Sequence, residues 1–109
     1  MDSVKLYHYQ SEDNKITIDA YFEGDFLVID GFDIGKTVEK YWGDSDYEYM
    51  VKIPKEGIDF LYTHLNVTSG DRQKLLQELA KTYNTNSCYS DIRQLMTDNN
   101  IKCEGFTWV

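Results

Sequence analysis

The chain has 109 residues, 41% of them hydrophobic and 15% aromatic, with one proline, a composition that excludes a disordered acidic tail and fits a single folded domain. Its 19 acids against 11 lysines and arginines give a formal charge of −8, a sign that repels nucleic acid and anionic membranes and attracts basic surfaces. The whole excess falls in residues 1–49, where twelve Asp and Glu stand against four Lys, while residues 50–109 balance seven acids with seven bases.

The first half reads as strands. Val4 to Tyr9 is rich in apolar and aromatic residues, and Glu12-Asp13-Asn14 supplies a polar turn. Ile16, Ile18, Ala20 and Phe22 then alternate with Thr17, Asp19 and Tyr21, the period of a half-buried strand. Glu23-Gly24-Asp25 is a tight turn, because glycine takes the positive φ that short hairpins need. Phe26 to Ile29 forms a third strand that leaves at Asp30-Gly31, and residues 31–43, with three glycines, read as a loop holding one helical turn. A fourth strand runs from Asp46 to Ile53 and stops at Pro54.

The second half reads as helices. Ile58, Leu61, Tyr62 and Leu65 make an amphipathic stripe just after Pro54. Leu76, Leu79, Ala80 and Tyr83 repeat it behind an N-cap at Ser69 or Asp71, with Leu75 widening the buried face. A third helix opens near Asn86 or Ser87, buries Ile92, Leu95 and Met96, and ends at Asp98-Asn99-Asn100, since Asn tolerates the left-handed conformation of a helix terminus. Alternation resumes at Ile101 and carries a last strand through Phe106 and Trp108. The expected fold is α+β, an antiparallel sheet of about five strands in the order β-β-β-β-α-α-α-β with the helices on one face. Residues 1–53 form an acidic β half, 54–100 a helical half and 101–109 the closing strand of one domain.

The most distinctive stretch is Trp42-Gly43-Asp44-Ser45-Asp46-Tyr47-Glu48-Tyr49. In extended form it places Asp44, Asp46 and Glu48 on one face and Tyr47, Tyr49, Val51 and Ile53 on the other. Aligned carboxylates are ligands for hard cations, but a calcium loop starting at Asp44 would need Gly at its sixth position and Glu at its twelfth, where Tyr49 and Lys55 stand. No metal or other cofactor is therefore expected. Catalytic signals are equally sparse: His8 and His64 are isolated, and no nucleophile elbow, zinc motif or phosphate loop is present. The acids in Asp30-Gly31-Phe32-Asp33-Ile34-Gly35-Lys36 would repel a phosphate. Cys88 and Cys103 lack C-x-x-C spacing and read as two reduced thiols. No run approaches the roughly 18 apolar residues of a spanning helix, and Met1 to Lys5 lacks the apolar core of a signal peptide, so a cytoplasmic protein is expected.

Tyr and Trp favour interfaces beside charges, because they give large contact area at low entropic cost. Tyr41, Trp42 and Tyr47, which lie among glycines and acids, are the aromatics expected to face outward, although Tyr47 shares the inward parity of Tyr49. With Asp33, Asp44, Asp46 and Glu48 they make up the expected partner-binding set. The order of Asp33-Ile34-Gly35, then the Trp42 to Tyr49 stretch, then three helices and a closing Ile101 to Trp108 strand resembles small acidic bacterial immunity proteins of polymorphic-toxin systems. That resemblance implies a cytosolic, non-enzymatic protein that binds a cognate basic toxin domain, commonly a nuclease, and occludes it, with no membrane or direct nucleic-acid partner. Two other readings remain: a phage-encoded nucleic-acid mimic acting on a defence nuclease, and a small enzyme gathering a histidine with a cysteine or carboxylate. A toxin gene next to this one would separate the first reading from mimicry.

Overall fold

The computed structural model describes residues 3–35 and 46–108. Five antiparallel strands form one sheet in the order β1-β2-β3-β4-β5: β1 (Ser3–Gln10), β2 (Asn14–Glu23), β3 (Phe26–Gly35), β4 (Asp46–Ile53) and β5 (Glu104–Trp108). Three helices, α1 (Lys55–His64), α2 (Arg72–Thr82) and α3 (Cys88–Asp98), are inserted between β4 and β5. The chain is thus α+β with the expected element order. The helices pack on one face only: α2 lies over β1 and β2, α1 over β3 and β4, and α3 over β3.

Side-chain period decides which face is dry. Ile18, Ala20 and Phe22 of β2, Leu27 and Ile29 of β3, and Val51 and Ile53 of β4 all join one core cluster with Leu61, Leu75, Leu79, Ile92 and Met96 from the helices. In β1 the register slips between Lys5 and Tyr7. That bulge sends Leu6 and Tyr7 to the helix side together, so the strand keeps Val4, Leu6 and Tyr7 against the core despite their uneven spacing.

Each helix boundary has a local cause. Pro54 precedes α1, and its carbonyl accepts from Gly57 and Ile58 at 3.0 Å. Gly57 lets α1 close on the sheet, since a Cβ there would run into Ile53 Cγ2. The α2 N-cap is Asp71, whose carboxylate accepts from the Lys74 amide at 3.1 Å. Asp71→Ala should lower stability by about 1 kcal/mol in denaturant unfolding, the usual worth of such a cap. Past α3 the chain reverses through Asn100 at φ 58°, and Ile101 donates back to the Met96 carbonyl at 2.9 Å.

Two expectations change. β3 does not leave at Asp30-Gly31 but continues to Gly35, paired with β2 to its end and with β4 as far as Ile34. Gly31 sits within the strand because the ring of Tyr49, its cross-strand partner, occupies the space a Cβ would take. The remainder of that expected loop lies outside the described residues. The closing strand begins at Glu104 rather than Ile101, because the Ile101 amide bonds back to the last turn of α3 and its side chain packs on the core.

Cys88 is buried at the start of α3, Cys103 is half-buried, and both are free thiols. Burial pushes both thiols up, which leaves them protonated and weakly nucleophilic. Cys88→Ala with Cys103→Ser should cost only about 1 kcal/mol, from one small side chain lost to the core. Intact-mass measurement without reductant should show both thiols unpaired.

Candidate functional site

The sheet has a second face, and among the described residues no helix covers it. Strand pairing sets out its side chains in rows. One row reads Lys5, Asp19, Asp30, Met50 and Phe106 across β1 to β5, and the next reads His8, Thr17, Phe32 and Glu48. On the other side of the first row stand Ser3, Tyr21, Val28, Lys52 and Glu104. Val28 is fully buried although it points away from the helices, so the open face has a small dry centre of its own. Around it Phe26, Phe32 and Phe106 remain 37%, 36% and 39% exposed.

Asp19, Asp30 and Glu48 crowd the middle of this face. Asp19 and Asp30 are directly opposed, a placement that destabilises a sheet when charges match. Glu48 lies diagonally from Asp30, beside Met50 and across from Phe32. Burial, then Glu48 and Asp19, push the Asp30 carboxyl up to about 6, against a hydrogen bond from the Tyr21 hydroxyl. Tyr21 is itself raised, first by burial and then by Asp30, Glu23, Glu48 and Asp19. Among the described residues the ion pairs are Lys52 with Glu23 at 3.7 Å and Lys74 with Glu78, so neither relieves the central three. The site is a half-dry acidic surface set with flat apolar rings.

The residues expected from sequence divide between the two faces. Glu48 belongs to the open face, and Asp46 takes its place in β4 opposite Ile34. Asp33 and Tyr47 are opposed to each other on the helix side, at the end of the sheet beyond the core. There the Tyr49 hydroxyl donates to Asp33 Oδ1 at 3.1 Å, and burial raises the Asp33 carboxyl while that bond lowers it. The ring of Tyr47 lies 5.4 Å from that of Tyr49, which stands 4.7 Å from Tyr89. Tyr47 with Tyr49, Tyr89 and Arg93 walls a cavity of about 270 Å³ on that side. Tyr41, Trp42 and Asp44 lie outside the described residues.

Sequence reasoning passed over Asp19, Tyr21, Asp30 and Phe32. The signal was alternation carried through Asp30, Phe32 and Ile34, hidden because Gly31 and Gly35 read as loop residues. As for catalytic groups, His8 lies on the open face with Nδ1 3.5 Å from Thr17 Oγ1, His64 stacks on Phe60, and Cys88 is sealed in the core. Among the described residues no three His, Cys, Asp or Glu are grouped to hold a metal ion, and no helix is long and apolar enough to cross a membrane.

Compared with known proteins, the chain matches no family model, no curated sequence and no solved structure.

Proposed function

We propose that the protein is a non-enzymatic acidic binding protein that neutralises a cognate basic toxin domain of the nuclease type by seating its open sheet face on it. The observation that carries this reading is the crowding of Asp19, Asp30 and Glu48, among exposed phenylalanines, on a face that no described helix covers. Like charges held together at a partly dry surface cost stability, and a partner's cations would offset that cost. Exposed Phe26, Phe32 and Phe106 supply the apolar contact that charge alone lacks. This interspersed apolar area favours a folded protein surface over a phosphate-binding channel, and so favours toxin occlusion over nucleic-acid mimicry.

The test begins with affinity capture of the native partner at low salt, its identification, and co-expression of the two proteins. Growth arrest by the partner alone, relieved by this protein, is the expected result. Association should slow at least several-fold between low and physiological ionic strength, because screening shortens to about 8 Å and removes long-range steering. An association rate that does not change with salt would overturn charge-guided binding, and a partner without toxicity would overturn the immunity role.

A further inference from the structure

We infer that the open face selects arginine over lysine: a guanidinium on the partner stacks on Phe32 while its nitrogens bridge the carboxylates of Asp30 and Glu48. This deepens the binding role proposed above and rests on it. The geometry is a two-by-two block in which Asp30 and Phe32 alternate along β3, and Met50 and Glu48 stand opposite them on β4. The two carboxylates therefore occupy opposite corners, with a flat ring and a thioether at the other two. A planar group fits that block better than a compact one. Guanidinium lies against aromatic faces, is weakly hydrated, and reaches two acceptors through its fork of donors, whereas an ammonium is a strongly hydrated point charge.

The chain's own cations lie over rings at several distances, Arg93 at 5.8 Å from the ring of Tyr89. Arg72 lies 4.5 Å over the ring of Phe22 and donates to the Gly24 carbonyl at 3.0 Å. Lys52 stays 5.8 Å from the ring of Phe26 and keeps its charge by Glu23. Phe32 is 36% exposed, so its ring is open to an incoming side chain. Lys5 is the cation in register with the acidic row, but it stands on β1, with Asp19 between it and Asp30. The partner group is thus an arginine displayed on a protein surface.

Titration of isotope-labelled protein with hexa-arginine and with hexa-lysine, followed by amide and Phe side-chain shifts, separates the possibilities. Hexa-arginine should bind about tenfold tighter, with the largest shifts at Asp30, Phe32, Glu48 and Met50. Phe32→Leu should bring its affinity down to that of hexa-lysine and leave hexa-lysine unchanged, and because Phe32 is exposed the variant should fold normally. Equal affinities for the two peptides at this face would overturn arginine selection and leave the binding role standing. Shifts confined to the helix side, or no binding at low salt, would overturn both.

Discussion

Glu48→Lys and Asp30→Lys should each weaken binding to the basic partner by about 2–5 kcal/mol, roughly 30-fold to several-thousand-fold in Kd. Each change strands the partner's cation against a new like charge at the centre of the open face. Folding should survive, because a lysine at either position meets the remaining carboxylates and replaces repulsion with attraction. Asp59→Lys on α1 is the matched control, an exposed acid on the helix layer whose reversal should leave affinity near wild type. Asp71 would be a poor control, since its side chain caps α2. Affinity and melting temperature measured side by side decide the matter. If all three variants bind alike, the open face is not the interface; if the first two unfold, those acids hold the sheet together.

How far this surface could be read from sequence depended on what periodicity can carry. Ile16, Ile18, Ala20 and Phe22 declared β2 because one face is apolar and the other is not, and the helix stripes around Leu61, Leu79 and Ile92 declared themselves in the same way. The Glu48 and Tyr49 parity also holds, with Tyr49 directed to the helix side and Glu48 away from it. β3 was cut short because its glycines signal turns in a single sequence, and the ring that replaces the Gly31 Cβ comes from Tyr49, eighteen positions later. A contact of that range leaves no local trace. The acidic centre was missed for the same reason: Asp19, Asp30 and Glu48 are separated along the chain and are brought together only by strand register. What the sequence did carry was the charge excess of the first half, and the fold sets part of it, Asp19, Asp30 and Glu48, on the sheet face opposite the three helices.

Asp30→Asn should make the protein more stable near neutral pH and flatter in its pH dependence, at the expense of partner affinity. In the folded protein the Asp30 carboxyl is raised from 3.8 to about 6, chiefly by burial and then by Glu48 and Asp19. Between those two values the folded state holds a proton that the unfolded chain has released. This group's contribution therefore falls as pH rises through that window, and the penalty is complete above about pH 6. Taken at face value the shift corresponds to about 3 kcal/mol, but Asp30 is only partly buried and solvent screening reduces this to about 1–2 kcal/mol. Asparagine keeps the shape and still accepts from the Tyr21 hydroxyl while removing the charge. Its melting temperature at pH 7.5 should rise by about 4–10 °C, and the gain should vanish by about pH 4. Asp33, raised in the same direction by burial, keeps its own contribution in both proteins. The partner's cation should offset the ionisation penalty, so wild-type binding should strengthen from pH 5 to pH 7 with proton release, read by calorimetry in two buffers of different ionisation heat. A variant that melts in parallel with wild type from pH 4 to pH 8 would show that the carboxylates are not in conflict, and the face would lose its reason to seek a cation.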